Sequence, residues 1–145
     1  MDPLLTYRGA VFTWHCDHMG HMNVMWYVGK FDEASWNFLA HIGITPSYLR
    51  NSDRGMVAVE HKVAYKRELL AGDILEVHSS ILEVRDKAIV FTHEMRNGET
   101  GEIAATCQFT GVHIDKTLRK ACAFSPEMRI AAEKYMRPAL LSDAA

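Results

Sequence analysis

Apolar and polar positions in the first third of the chain follow two different periods. Residues 7–14, YRGAVFTW, form a short aromatic-rich run bounded by a polar cluster, which is typical of a strand. Over residues 27–42 apolar positions recur at steps of three and four, which predicts one amphipathic helix. Gly43 suits the left-handed cap position after that helix, and Pro46 cannot continue it. The pattern therefore predicts a strand followed by one long helix.

From residue 56 onward the period changes to two, which predicts strands with one buried face. Three sets of turn residues divide this region: Gly72-Asp73, the polar run 85–87, and Asn97-Gly98 with Gly101. The predicted strands cover residues 57–65, 74–84, 88–96 and 103–113. A final helix is predicted from Ser125 as its cap to about Met136, before Pro138.

One strand, one long helix and four antiparallel strands define an α+β domain in which a sheet packs against a single helix. A helix of about 16 residues is about 24 Å long, enough to cross about five strands. We expect the 145 residues to form one domain, residues 1–145, since a typical domain has about 100 to 200. One helix covers only part of one sheet face, so we expect a homodimer or a larger assembly.

Charge and cysteine content exclude several classes of protein. Lys and Arg number 16 against 18 Asp and Glu, a net charge of −2 without a basic run, which argues against a nucleic-acid partner. No apolar stretch approaches the 18 residues of a membrane span, and the first residues, MDPLLTYRG, do not resemble a signal peptide. The three cysteines form no CxxC motif, which indicates a reduced compartment. We expect a cytoplasmic protein without a membrane partner.

The densest set of functional groups lies between the first strand and the long helix, over residues 15–23. Three histidines at three-residue spacing, His15, His18 and His21, are possible metal ligands. Cys16 beside a histidine is a possible nucleophile. Asp17 stands just before a helix N-terminus, where free N–H groups can hold an oxyanion, as in acyl transfer. Spacing alone also allows a simple turn cap with solvated histidines.

The order of motifs resembles a known family. A strand is followed by D-x-x-G-H-M-N, a tyrosine-bearing helix with F-D-E-A, and four strands with R-E-L-L-A-G-D after the first of them. This arrangement, over residues 7–113, is similar to the hotdog-fold acyl-CoA thioesterases, and nearest to the 4-hydroxybenzoyl-CoA thioesterase-like family. The resemblance implies a hotdog fold, an antiparallel sheet wrapped around one long central helix.

The resemblance also implies an activity and a set of roles. The expected reaction is hydrolysis of a small or medium acyl-CoA thioester to free acid and CoA, without a cofactor or metal. Asp17 matches the catalytic aspartate, as general base or nucleophile, and the backbone N–H of Val24 matches the oxyanion donor. The positions expected to contact substrate or deliver Asp17 are Gly20, His21, Asn23, Trp26 and Tyr27. Position 24 is often asparagine in the D-x-x-x-H-x-N subgroup, so Val24 is a departure from that pattern. The family's active sites lie at a dimer interface, which implies a homodimer or homotetramer.

The acyl group and the carrier stay open at this stage. Four aromatic residues close in sequence to Asp17 favour either core packing or a cage for a cationic or aromatic acyl group: Trp14, Trp26, Tyr27 and Trp36. The cations available for CoA phosphates are Arg67, Arg85, Lys87 and Arg96. Glu33 on the helix is a second candidate acid. The alternative functions are a non-catalytic acyl-CoA or acyl-carrier binding module and a metal-dependent hydrolase.

Overall fold

The computed structural model describes residues 2–137. In chain order the elements are β1 (Leu4–Ala10), a 3₁₀ turn (Thr13–His15), α1 (Val24–His41), α2 (Pro46–Asn51), β2 (Arg54–Tyr65), β3 (Ile74–Val84), β4 (Ala88–Asn97), β5 (Ile103–Asp115), β6 (Lys120–Ala121) and α3 (Pro126–Glu133). None of the helices in this part of the chain is long and apolar enough to cross a membrane.

The long helix α1 begins three residues before its predicted start. Its cap is Asn23, whose side-chain oxygen accepts a hydrogen bond from the Met25 N–H at 2.9 Å. Residues 24–26 are apolar but exposed or half-buried, so they lie outside the buried stripe from which the start was predicted. Gly43 follows the helix with φ of 99°, as predicted for a left-handed cap.

The first strand is displaced from its predicted range of residues 7–14. β1 ends at Ala10, and the aromatic segment after it folds into the 3₁₀ turn. The N–H of Phe12 donates to Nδ1 of His15 at 3.0 Å, which closes this turn locally. The aromatic residues that indicated a strand therefore belong in part to this turn.

The sheet is antiparallel, with the order β1-β3-β4-β5-β2 and β6 paired to β5. Strands β3, β4 and β5 form consecutive hairpins, but β2 joins the far side of β5. α1 packs on β1, β3 and β4. β1 and β2 are therefore at the two ends of the strand order. The N-terminus of α1 lies between the loop that follows β1 and the loop that follows β2.

Strand β2 differs from its predicted half-buried character. Residues 57–62 are exposed on both faces, although β2 pairs with β5 along its length. A register shift between Ala58 and Glu60 interrupts the ladder. Val57 and Val59 therefore have no covering layer within residues 2–137, whereas Met56 and Val63 pack against the core.

The core beneath α1 fixes the loop that precedes the helix. Met22 is almost fully buried, in one cluster with Val11, Tyr27, Phe31 and residues of β3 to β5. The Met22 N–H donates to the Leu69 carbonyl at 2.8 Å. Anchors on both sides of residues 16–22 hold this loop in one position against the helix.

The C-terminal elements follow the prediction in part. Ser125 caps α3 by accepting from the Met128 N–H at 3.2 Å, but the helix ends at Glu133, short of the predicted end near residue 136. The short elements α2 and β6 are additions to the predicted set. Pro138, taken as the stop, lies outside the described residues.

Candidate active site

A tight turn presents Asp17 directly before α1. Cys16 and Met22 form an antiparallel bridge, and the Asp17 N–H donates to the His21 carbonyl at 3.2 Å. The Gly20 N–H donates back to the Asp17 carbonyl at 3.0 Å. Gly20 has φ of 87°, a conformation that other residues adopt at a cost. The glycine of the D-x-x-G motif is therefore required by the turn itself.

The Asp17 carboxylate is held at both oxygens. Oδ1 accepts from the Met19 N–H at 2.8 Å, and Oδ2 accepts from the Asn23 side-chain amide at 2.7 Å. These bonds, that from Asn23 foremost, hold the pKa of Asp17 below its usual value, since they favour the charged form. Asp17 is therefore a fixed carboxylate with unused lone pairs at neutral pH.

The first turn of α1 leaves one backbone donor free. The Met25 N–H is taken by the Asn23 side chain, and those of Trp26 and Tyr27 by the Asn23 carbonyl. The Val24 N–H has no acceptor among residues 2–137. It stands at the positive end of the helix dipole, one residue after the amide that holds Asp17. This geometry offers a donor to a negatively charged oxygen.

The three histidines of the loop are not gathered. His15 is buried, with Nδ1 bonded to the Phe12 N–H, whereas His18 is exposed. His21 contacts the Met22 carbonyl through Nδ1 and has Nε2 3.7 Å from Glu68. Within residues 2–137 no three His, Cys, Asp or Glu side chains are arranged to hold a metal ion.

Cys16 is not paired with a histidine either. Its thiol donates to the Phe12 carbonyl at 3.8 Å. Of the hypotheses that the sequence left open for this loop, a carboxylate site beside a helix N-terminus is the one that the hydrogen bonds of Asp17 and the position of the Val24 N–H support.

A pocket of about 220 Å³ lies on the side of α1 that faces β2, and we call it the β2-side pocket. Its lining residues are His21, Met22, Val24, Tyr27, Tyr65, Lys66, Arg67 and Glu68. The rings of Tyr27 and Tyr65 meet edge to face with centroids 5.2 Å apart. The Tyr27 hydroxyl donates to the Arg67 carbonyl at 3.1 Å, which fixes the ring. Tyr65, on a strand that begins 30 residues after Val24, is a lining residue that the sequence did not indicate.

A larger pocket of about 480 Å³ lies on the opposite side of α1, toward β1, and we call it the β1-side pocket. Its lining residues are Tyr7, Gly9, Ala10, Phe12, Trp14, His15, Trp26, Gly29, Lys30 and Glu33. Trp26, predicted as a substrate contact, lines this pocket, whereas Tyr27 lines the other. Trp36 lines neither, so the four aromatic residues near Asp17 do not form a single cage. Lys30 lies among the buried residues of α1, and a charged residue at such a position in the sequence could have indicated this pocket.

The candidate cations for CoA phosphates lie in different environments. Arg67 lines the β2-side pocket and is 3.4 Å from Glu102. Arg85 and Arg96 are paired with the glutamates two residues before them, and Lys87 is exposed in the turn between β3 and β4. Of the four, Arg67 is the one that lines either of the two pockets described above.

Comparisons with known proteins identify the family. The profile of the thioesterase-like superfamily matches residues 11–132, and the chain belongs to this superfamily. A curated relative, the L-carnitine dehydrogenase/betainyl-CoA thioesterase of Ruegeria pomeroyi, is 29% identical over 130 residues, or 90% of this chain. The chain spans 26% of the length of that relative.

Solved structures share the fold. A hypothetical protein of Staphylococcus aureus in complex with CoA has a TM-score of 0.87 at 22% identity, over 97% of this chain and 90% of its own. The 1,4-dihydroxy-2-naphthoyl-CoA thioesterase of Synechocystis has a TM-score of 0.78 at 19% identity, over 88% and 94%. A gentisyl-coenzyme A thioesterase has a TM-score of 0.76 at 26% identity, over 86% and 97%.

The predicted α+β hotdog fold and the predicted family are thereby confirmed. At the level of the family the predicted class of enzyme, a thioester hydrolase, is confirmed as well. The roles of the individual site residues stay predictions.

Proposed function

We propose that this protein hydrolyses CoA thioesters at the turn that precedes α1. The observation that carries the proposal is the pairing of a fixed carboxylate with an available donor: the Asn23 amide donates to Asp17 Oδ2 at 2.7 Å, and the N–H of the next residue, Val24, has no acceptor among residues 2–137. Acyl transfer needs these two parts, a base or nucleophile and a donor for the developing oxyanion.

In the proposed reaction the thioester carbonyl oxygen accepts a hydrogen bond from the Val24 N–H. Asp17 then takes a proton from water as the water oxygen attacks the carbonyl carbon; the C–S bond breaks, and Asp17 returns the proton to the leaving thiolate, which releases the acid and the CoA thiol. In the covalent alternative an Asp17 oxygen attacks first, CoA leaves, and water hydrolyses the mixed anhydride. In both routes the tetrahedral oxyanion is stabilised by the same N–H and by the helix dipole.

CoA as the carrier is supported by the relatives, which include CoA thioesterases and a protein solved with CoA. The side chains of Lys66 and Arg67 are exposed at the β2-side pocket, beside Val24. We propose this rim as the position of CoA phosphates. Their contribution is testable by salt, since exposed charge pairs weaken as ionic strength rises.

The volume of the β2-side pocket, about 220 Å³, favours a small acyl group. Two classes fit. A short uncharged acyl group would pack on Val24 and Tyr27. A trimethylammonium acyl group, as in the name of the Ruegeria relative, would lie against the Tyr27 and Tyr65 rings with Glu68 nearby, where each ring face contributes about 0.5 to 2 kcal/mol.

We also propose a homodimer that pairs the β2 edges of two copies. β2 is bonded only to β5 within residues 2–137, and it carries the exposed apolar residues Val57, Val59 and Tyr65. Val24 and Val28 extend this apolar surface along α1. An unpaired strand edge next to exposed apolar residues favours pairing with another chain. The β2-side pocket would then lie beside the interface.

The test of the proposed function is thiol release from a panel of acyl-CoAs in the presence of a chelator. The panel spans short-chain, long-chain, aromatic and trimethylammonium acyl groups. We expect turnover of one small acyl class, insensitive to the chelator. Binding of these thioesters by calorimetry without turnover would replace the proposal with a binding module, and activity lost to the chelator would replace it with a metal-dependent hydrolase.

A further inference from the structure

The β1-side pocket is separate in its lining from the site of proposed hydrolysis. Neither Asp17 nor Val24 lines it. From α1 it takes Trp26, Gly29, Lys30 and Glu33, whose spacing places them on one face of the helix. The cavity, about 480 Å³, is large enough for a small organic molecule.

A glycine in β1 gives the pocket its floor. Tyr7 and Gly9 are two residues apart, so they lie on the same face of the strand. A Cβ at Gly9 would lie 2.7 Å from the Tyr7 hydroxyl oxygen, closer than real Cβ contacts come. The missing side chain at Gly9 therefore lets the Tyr7 ring lie along β1 and brings its hydroxyl to Lys30.

Lys30 is a buried cation with unused donors. Its side chain is 4% exposed, and its one hydrogen bond among residues 2–137 runs to the Tyr7 hydroxyl at 3.3 Å. An ammonium has three donors, and no carboxylate of the described residues forms an ion pair with it. Burial lowers the pKa of Lys30, and Glu33 acts in the opposite direction. A buried charge without a partner is costly, so a bound anion would stabilise it.

Two further groups offer hydrogens to the pocket. The Tyr7 hydroxyl accepts from Lys30 and can donate its own hydrogen, for which the Glu33 carboxylate is a nearby acceptor; burial and then Glu33 raise the pKa of this hydroxyl. The Nδ1 atom of His15 accepts from the Phe12 N–H, so the ring hydrogen is on Nε2. Glu33 is the one carboxylate of the lining; its side chain is exposed, and it lies close enough to Tyr7 and Lys30 to act on the pKa of both. The buried part of the lining is thus rich in donors.

Aromatic faces form the outer walls. The Phe12 and Trp14 rings are stacked, with centroids 4.5 Å apart and planes 7° from parallel, and both are largely exposed. Trp26 lies against the His15 ring at 4.5 Å. Such surfaces bind a flat or apolar molecular body.

We propose that the β1-side pocket binds a small free carboxylic acid with an aromatic or apolar body. Its carboxylate is held by Lys30 and Tyr7, and its body packs on Trp14 and Trp26. The fixed ammonium of Lys30 disfavours a trimethylammonium group in this pocket, in contrast to the β2-side pocket. The inference goes beyond the proposed hydrolysis because it uses neither Asp17 nor Val24.

The test is calorimetric binding of benzoate to the full chain, with benzamide and phenyltrimethylammonium as neutral and cationic counterparts. We expect benzoate to bind at least about 10-fold more tightly than either, since a charge-assisted hydrogen bond contributes about 1.5 to 3 kcal/mol. Lys30→Met, which keeps the length of the stem, should weaken benzoate at least about 10-fold. Lys120→Met, at an exposed lysine of β6, should leave it unchanged. Equal binding of benzoate and benzamide, tighter binding of the cation, or no benzoate binding would overturn the proposal.

Two controls separate this proposal from folding and from hydrolysis. Lys30→Met should melt at or above the wild-type temperature without benzoate, since it removes an uncompensated buried charge. Benzoate should raise the melting temperature of wild type but not of Lys30→Met. Asp17→Asn should bind benzoate as wild type does, and loss of binding in that variant would contradict a separate site. Displacement of benzoate by the acid released from the best thioester would identify the ligand as the enzyme's own product, and failure to displace it would indicate an acid from another reaction.

Discussion

At the scale of single residues, Asn23 performs two tasks with one side chain. Its amide nitrogen donates to Asp17 at 2.7 Å, and its oxygen accepts from the Met25 N–H at 2.9 Å. The same residue therefore starts the helix that supplies the oxyanion donor and lowers the pKa of the proposed base. Asn23 therefore fixes the position of the Asp17 carboxylate relative to the first turn of α1.

Asn23→Ser separates these two tasks. Serine is also a good helix cap, so the free energy of unfolding should change by only a few tenths of a kcal/mol. The amide donor is lost, so the pKa of Asp17 should rise toward its ordinary value. Because Asp17 acts as the carboxylate, hydrolysis should be lost on acidification at a higher pH than in wild type. The measurement is the acid limb of kcat/KM against pH, and an unmoved limb would contradict the role of Asn23.

His93 links acid stability to a buried network. The side chain is 1% exposed, its Nδ1 is hydrogen-bonded to the Ser79 hydroxyl, and its Nε2 is hydrogen-bonded to the Ser35 hydroxyl on α1 at 2.9 Å. The Ser35 hydroxyl also donates to the Phe31 carbonyl, so the network joins β3 and β4 to α1. Burial lowers the pKa of His93 to about 3, so the ring is neutral in the folded state at neutral pH.

Acidification should therefore unfold the protein partly through His93. The unfolded chain binds a proton at His93 below about pH 6.5, and the folded chain only near pH 3, so stability falls as pH drops through this window. His93→Gln, which cannot titrate, should show a shallower loss of unfolding free energy between pH 7 and pH 4.5 by urea titration. The substitution His18→Gln at an exposed loop histidine is the control. A slope equal to that of wild type in His93→Gln would refute the linkage.

At the scale of elements, the start of α1 can be tested by a substitution that removes one hydrogen. Proline is tolerated at the first position of a helix, and Asn23, with φ of −72° and ψ of 147°, already has the conformation that precedes proline. Val24→Pro should keep the helix but remove the free N–H, and hydrolysis should fall by about 100-fold or more. Val24→Ala keeps the N–H and should retain most activity. Equal rates in the two variants would show that this N–H is not the oxyanion donor.

The sequence predicts an element correctly when the residues that define its ends are close together in the chain. β3 was predicted with its observed bounds because turn residues stand at both ends. The first strand was misplaced because residues 12–15 are closed into a turn by a bond from Phe12 to His15, which no periodicity reveals. The Asp17 turn was predictable, since a short motif contains all its parts. Tyr65 and the network of His93 were not, because their contacts join residues far apart in sequence.

At the scale of the whole molecule, the exposed apolar edge of β2 requires a partner. Wild type should have a native mass of at least twice the 16.4 kDa of one chain by light scattering. Val59→Glu places a charge on the exposed apolar edge and should shift the protein toward single chains, whereas Val59→Thr preserves strand propensity and should remain assembled. A wild-type protein that runs as one chain at micromolar concentration would contradict this prediction.

We propose that Asp17 carries out the hydrolysis of a CoA thioester. The most direct measurement is kcat for thiol release from the best acyl-CoA of the panel, in Asp17→Asn and in Asp86→Asn, a surface aspartate of the turn between β3 and β4. We expect a loss of about 100- to 10,000-fold in Asp17→Asn, with wild-type folding and thioester binding, and an unchanged rate in Asp86→Asn. A rate in Asp17→Asn equal to that of wild type would contradict it.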